Sequence, residues 1–311
     1  MGKDLENKKQ PVCFNWDMHY VCNYRCPYCW FHGKWQQMAD HNKYPPLEKI
    51  LKVWENIYNK YGSACIELIG GEPLIYPNIV QLVKGLSAFH RIQITTNLSV
   101  EVNDFIRQID ASRVQVSGSF HPVFADFDEF LKRAMLLKEK GFGRMILYLA
   151  YPPQIKMLPY YAEKFKKHGF VFHVHTFWGQ YNGVSYPQGY TDEEKSVIDP
   201  YLGNRSGEKY QLEPKNVKGR LCRAGQLYVN IQADGTVYRC GGRISKIGNL
   251  FHEDFKLLDK PLPCESETCP CNEWAGKLIE VKSSRSLFAA FLRIKKKWKN
   301  HNAFKTKIRA P

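Results

Sequence analysis

Cys22, Cys26 and Cys29 form a C-x3-C-x2-C run, close enough together for three thiolates to serve one metal centre. Three cysteines on a tight loop can hold three corners of a cubic iron–sulfur cluster. Such clusters ordinarily take four cysteines, so a three-cysteine loop leaves one iron open to an outside ligand. The same spacing also suits a structural zinc ion, for which Cys13 or His19 would have to supply the fourth ligand. A second group follows near the other end: Cys222, then Gly235 and Cys240, and after a gap Cys264, Cys269 and Cys271. Zinc is again the alternative metal there. Residues around this group are too poor in apolar side chains to be held by burial alone, and a metal centre would supply what the core lacks. Cys13 and Cys65 fall on expected strands and read as buried small hydrophobes, with a reactive thiol near the site as the alternative.

A loop that presents three thiols needs a rigid scaffold behind it, and the first 180 residues carry one. Runs rich in β-branched and aromatic residues predict strands over 13–20, 64–69, 91–96, 113–117, 145–151 and 170–176. Between them, Leu47, Ile50, Leu51, Trp54, Ile57, Tyr58 and Tyr61 share one helical face that Gly62 ends. Residues 126–140 and 158–168 repeat the pattern and stop at Gly141 and Gly169. Six βα units in series predict an α/β fold with a parallel sheet and helices outside. Six are too few to close an eight-stranded barrel, so the expectation is an open, partial (β/α)6 TIM-like barrel. The first cysteine loop then falls at the carboxyl end of the first strand, where such folds place their sites.

After residue 180 the pattern changes. Residues 179–189 and 203–219 read as loops, and a short helix follows Thr191. Residues 227–232 and 236–240 flank Ala233-Asp234-Gly235 as a hairpin. The expected organisation is a core over 1–185, a linker over 186–220, a small cysteine-rich domain over 221–279 containing the hairpin, and a basic tail over 280–311.

Apolar residues make up 44% and charged residues 24%, which excludes global disorder. The longest apolar stretches, such as 145–151, have seven residues; a membrane span needs about 20. The amino terminus is polar and lacks the apolar stretch of a secretory signal. The cysteines are therefore expected in a reducing, cytoplasmic compartment, as ligands and not as disulfides. Of the formal charge of +15, ten basic residues unopposed by any acid fall in 282–311. There Leu287, Phe291, Ile294 and Trp298 share a helical stripe. Such a tail suits a membrane surface, an acidic partner or docking on its own protein. No motif supports sequence-specific nucleic-acid binding.

The octet Cys22-Asn23-Tyr24-Arg25-Cys26-Pro27-Tyr28-Cys29, with Gly70-Gly71-Glu72-Pro73 one βα unit later, resembles the signatures of the radical S-adenosylmethionine (SAM) superfamily. The resemblance spans about residues 13–180. It implies a site-differentiated 4Fe-4S cluster on Cys22, Cys26 and Cys29, whose open iron chelates the amino and carboxylate groups of SAM. It also implies that Gly70, Gly71, Glu72 and Pro73 lie beside the methionine ammonium, and that Thr96, Asn97 and Ser117 lie around the ribose and methionine ends. Tyr28 would then pack near adenine. For the polar strand ends, capping the next helix is the competing role.

The later cysteines resemble the superfamily's auxiliary-cluster domains, SPASM or its shortened form twitch. This implies a second 4Fe-4S cluster on Cys222, Cys240 and two of Cys264, Cys269 and Cys271. By resemblance, the activity is reductive cleavage of SAM to a 5′-deoxyadenosyl radical that takes hydrogen from a substrate C–H bond. The electron would come from a reducing donor such as flavodoxin or ferredoxin. The first substrate reading is oxidation or epimerisation of a small molecule such as a sugar or cyclitol; the second is maturation of a ribosomally made peptide. A zinc-stapled basic binding module without catalysis is the reading from another class. His121, His173 and His175, with Trp178, Gln180 and Tyr181, are candidate pocket residues.

Overall fold

The protein is described by a computed structural model over residues 11–32, 34–202, 212–214 and 216–269. Six strands alternating with helices come first: β1 (Cys13–Asp17), α1 (Trp35–Ala39), α2 (Leu47–Tyr61), β2 (Cys65–Ile69), α3 (Ile79–Ser87), β3 (Arg91–Thr96), α4 (Asn103–Gln108), β4 (Val114–Ser119), α5 (Phe127–Glu139), β5 (Met145–Ala150), α6 (Leu158–Lys167) and β6 (Val171–Thr176). Strands β1 to β6 pair in sequence order, every pair parallel, as a partial barrel requires.

Alternation along the strands divides the two faces. Phe14, Trp16, Ile66, Leu68, Ile92, Ile94, Ile146, Tyr148 and Val174 are at most 1% exposed and pack under the helices. On the opposite face Gln93 and Gln115 are exposed, while Asn15, Glu67, Ser117, His173 and His175 are half-buried. Because side chains alternate with period two, one apolar face seats the helices and leaves a polar concave face for the open barrel.

Two outcomes differ from the sequence reading. Residues 179–189 are not all loop: β7 (Gly179–Tyr181) and β8 (Val184–Tyr186) form a hairpin. It turns on Asn182 and Gly183, both at positive φ (47° and 76°). An Asn-Gly pair is a strong turn signal, here hidden among Pro and polar residues.

The second difference lies downstream of α7 (Asp192–Ile198), whose first turn is closed by a capping box between Thr191 and Glu194. After β9 (Leu221–Cys222), the expected hairpin is present as β10 (Tyr228–Ile231) and β11 (Thr236–Tyr238), followed by β12 (Lys246–Asn249). This hairpin does not stand apart from the barrel. β10 pairs parallel with β1, extending the sheet to nine strands in the order β12-β11-β10-β1-β2-β3-β4-β5-β6. A last short strand, β13 (Leu262–Pro263), pairs with β9. Cys271 and the basic tail lie outside the described residues. Among the described residues no helix is long and apolar enough to cross a membrane.

Candidate active site

The cysteine loop leaves the carboxyl end of β1 already fastened to the turn after β2. Met18 N donates to Ile69 O at 3.0 Å, Gly71 N to His19 O at 2.7 Å and Glu72 N to Val21 O at 2.8 Å. The two chains touch along their backbones, and this explains the glycines. A Cβ on Gly70 would lie 2.4 Å from His19 O, and one on Gly71 would lie 1.9 Å from Val21 O. Gly70 also sits at φ +122°, where side chains are strained.

Glu72 locks this junction to β3. Its carboxylate is 1% exposed. Oε1 accepts from Leu74 N at 2.9 Å and Thr96 Oγ1 at 2.6 Å, and Oε2 accepts from Asn97 N at 2.7 Å. Burial pushes its pKa up, against those three donors. Pro73 opens the short turn that follows and is buried. Asn97 reaches on into the cysteine loop: Nδ2 donates to Asn23 Oδ1 at 3.1 Å and approaches Cys22 Sγ at 3.8 Å. The four residues Gly70–Pro73 and the pair Thr96 and Asn97 thus converge on the cysteine loop. Ser117 stands half-buried one strand further, beside Thr95 in register.

Within the loop, Cys29 N donates to Cys26 O at 3.1 Å and His32 N to Cys29 O at 2.9 Å. Arg25 Nη1 donates to the carbonyls of Cys22 and Tyr24. Burial pushes the Cys26 thiol up to about 12, opposed by Tyr28 and reinforced by Cys29 and Cys22. Such thiols give up their protons when a cation takes the thiolates, so metal binding and deprotonation are one event here.

Of the two candidates for a fourth zinc ligand, one is distant and the other is engaged elsewhere. Cys13 is at the far end of β1, about 13 Å of strand away. His19 has both ring nitrogens engaged, with Glu72 O at 2.9 Å and the Tyr44 hydroxyl at 3.4 Å. Among the described residues no three His, Cys, Asp or Glu side chains converge so as to hold a metal ion. By residue type and spacing the loop offers three soft thiols, a donor set that suits an iron–sulfur cluster with one open corner.

An aromatic wall flanks the loop. Tyr28 stacks on His121 at 5.7 Å and packs against Tyr151 at 4.9 Å. His121 sits between the Tyr28 hydroxyl and Ser119 Oγ, each 3.1 Å from a ring nitrogen. Burial pushes its pKa down to about 4, so the ring is neutral near neutral pH. Tyr24 stacks on Phe124 at 5.3 Å. His173 and His175 lie together on β6, ring centroids 4.8 Å apart.

The sequence reading missed a polar ladder inside the barrel. Asn15 Nδ2 donates to Glu67 Oε2 at 3.0 Å and Asn230 Nδ2 to Asn15 Oδ1 at 2.8 Å. Gln232 Nε2 donates to Asn230 Oδ1 and, at 3.1 Å, to Asp17 Oδ2. The Tyr20 hydroxyl donates to Gln232 Oε1 at 2.7 Å. Residues of β10 therefore brace the strand and turn that lead into the cysteines. The available signal was alternation, which puts Cys13, Asn15 and Asp17 on one face.

Asp17 carries a pH dependence. Burial raises its pKa to about 6, against the opposing effects of Arg243, Asn230 and Gln232. Unfolded, it would ionise near 3.9, so between these values the folded protein holds the extra proton. Stability contributed by this group therefore falls as pH rises from about 4 to 6, by about 2–3 kcal/mol in all. In Asp17→Asn that decline should vanish and stability at pH 7 should rise. Urea unfolding at pH 4.5 and pH 7 measures both, and an unchanged slope would refute it.

The second cysteine group gathers at the opposite pole of the sheet. Cys222 and Cys269 belong to one packed cluster with Cys13, Val217, Ala224 and Tyr228, and Cys65, Cys240 and Cys264 pack against it. Cys264 N donates to Arg220 O at 2.8 Å and Gly219 N to Cys264 O at 2.8 Å, which closes the segment around Cys222. Cys264 and Cys269 are brought beside Cys222 and Cys240, while Cys271 lies outside the described residues. Cys13 and Cys65 stand opposite each other on β1 and β2, as the barrel-side wall of this group.

The chain thus places three thiols at the carboxyl end of the first strand of a partial parallel barrel, with a glycine-glycine-glutamate-proline turn against them. Residues 17–154 match the sequence model of the Radical SAM superfamily. Among curated relatives, the GTP 3',8-cyclase of Listeria monocytogenes serotype 4b is 32% identical over 108 residues, covering 34% of this chain and 32% of the relative. That of Rippkaea orientalis is 29% identical over 97 residues, covering 31% and 29%. The chain thus spans about a third of the length of the curated relatives it matches. Two solved structures share the fold. Streptococcus suis SuiB bound to SAM has TM-score 0.59 and 15% identity, over 78% of this chain and 64% of that one. Native anSMEcpe with bound AdoMet has TM-score 0.57 and 16% identity, over 78% of each.

Proposed function

We propose that this protein cleaves SAM reductively and uses the resulting radical to take a hydrogen atom from a C–H bond of a polar substrate on the concave face. The carrying observation is the junction itself: three cysteines on one loop, fastened by backbone hydrogen bonds to Gly71 and Glu72.

In this reading Cys22, Cys26 and Cys29 hold a 4Fe-4S cluster with one open iron. Bound there, it would supply one electron to the sulfonium of SAM, releasing methionine and a 5′-deoxyadenosyl radical. Gly70 and Gly71 keep the turn flush against the loop. Glu72, Thr96 and Asn97 hold the rim rigid, because each Glu72 oxygen already accepts from a neighbour. Backbone groups of the turn, together with Ser117, are left to meet SAM. Neutral His121, with Tyr28, closes the side of the site and limits water.

The substrate would contact Gln93, Gln115, His173 and His175, whose amides and imidazoles suit a hydroxyl-rich small molecule. Oxidation or epimerisation of such a compound is the favoured reaction. A peptide substrate is the second reading, because SuiB, which shares the fold at TM-score 0.58, has been seen bound to its precursor peptide SuiA. Cys222, Cys240, Cys264 and Cys269 would hold an auxiliary 4Fe-4S cluster in a twitch-like unit seated on β1.

Iron and sulfide counting on anaerobically purified protein tests this, together with 5′-deoxyadenosine formation from SAM and a strong reductant. About eight irons per chain and reductant-dependent product are expected. About four irons with product formed would remove the auxiliary cluster and leave the activity. Zinc alone, without product, would overturn the whole reading in favour of a zinc-stapled module.

A further inference from the structure

Arg239 immediately precedes Cys240 and is only 4% exposed. Its guanidinium is spent entirely on main-chain oxygens. Nε donates to Ala224 O at 3.0 Å, Nη1 to Pro263 O at 2.9 Å, and Nη2 to Cys222 O at 3.2 Å and Leu262 O at 2.6 Å. One side chain thereby fastens β9, β13 and the turn before β10 around the second cysteine group.

Those carbonyls satisfy the donors but bring no negative charge. Among the described residues, no carboxylate forms an ion pair with Arg239. A guanidinium buried with carbonyl partners and no anion beside it is unfavourable. Its charge acts on the thiols of Cys222 and Cys264, and Cys240 and Cys269 pack in the same cysteine cluster. Four neutral thiols would leave the charge uncompensated, whereas four thiolates on a metal centre would balance it.

We infer that Arg239 is the buried counter-charge of an anionic metal–thiolate centre on Cys222, Cys240, Cys264 and Cys269, and that its charge sets that centre's reduction potential. The inference rests on the auxiliary-cluster reading above. Reduction adds an electron to a group that is already negative, and a fixed cation beside it favours that addition. Arg239 therefore holds the potential up. It acts as a positioning residue, since it touches the segments that carry the cysteines and not the substrate.

The test uses the full chain with Cys22→Ala, Cys26→Ala and Cys29→Ala, so that only the second centre remains to be observed. About four irons per chain are expected in this background. Its midpoint potential is then followed by electron paramagnetic resonance with Arg239, Arg239→Lys and Arg239→Met. Arg239→Met should shift the potential downward, and Arg239→Lys, which keeps the charge, should restore most of it. Equal potentials in all three proteins would overturn the inference. So would a lysine protein shifted as far as the methionine one, because that would mark tethering without a charge effect. If Arg239→Met holds no iron, the lysine protein decides alone: a potential near that of the parent supports the charge role, and a clear fall overturns it. A background protein without iron would instead defeat the auxiliary-cluster reading beneath the inference, and the inference with it.

Discussion

Cys26→Ala is expected to abolish reductant-dependent 5′-deoxyadenosine formation while leaving the barrel folded. Cys26 is the most buried of the three loop thiols, at 6% exposure, and its carbonyl closes the turn that carries Cys29. Substitution removes the sulfur and keeps that backbone bond, so the loss should be chemical. Outer partners of metal ligands are worth about 10–100-fold in metal affinity or activity, and a ligand itself should be worth more than about 100-fold. The assay is chromatographic detection of 5′-deoxyadenosine under anaerobic conditions, with circular dichroism as the control for folding. Retention of product formation near the parent level would show that the loop is not the SAM-cleaving site.

The second large effect concerns stability. Glu72→Leu should cost about 3–5 kcal/mol, because it removes the acceptor for Leu74 N, Thr96 Oγ1 and Asn97 N in a buried place. Leucine fills part of the volume but accepts from none of the three. Glu72→Gln keeps one oxygen and should lose much less. Urea unfolding of the three proteins provides the comparison, and a loss below about 1 kcal/mol in the leucine protein would show that the junction does not depend on the carboxylate. The prediction also separates two roles for Glu72. A residue that served only SAM would change product formation and leave the unfolding midpoint where it was.

Much of the site was legible from local pattern. The six strands fall within two or three residues of their expected bounds, because each is a short run with one face alternating into the core, as with Ile92 and Ile94 in β3. The C-x3-C-x2-C loop and the Gly-Gly-Glu-Pro turn were legible as separate motifs for the same reason. Each needs only a few adjacent residues. What joins them was not legible. That a Cβ on Gly71 would meet Val21 O depends on two chain segments about 50 residues apart. The role of Glu72 likewise depends on β3 arriving beside β2 in a register that brings Thr96 and Asn97 to its oxygens.

The amino-acid order by itself determined the repeating βα pattern, the places of both cysteine groups and the hairpin at Ala233-Asp234-Gly235, since periodicity, turn chemistry and spacing are properties of neighbours in the chain. Tertiary structure alone decided where that hairpin docks. β10 takes the open edge of β1 because an exposed strand edge offers unpaired amides and carbonyls to any strand that can meet them in register. That one pairing puts Asn230 and Gln232 against Asn15 and Asp17 and sets Cys222 and Cys269 beside Cys13. Those contacts span more than 200 residues of sequence, a distance over which local pattern carries no information about proximity.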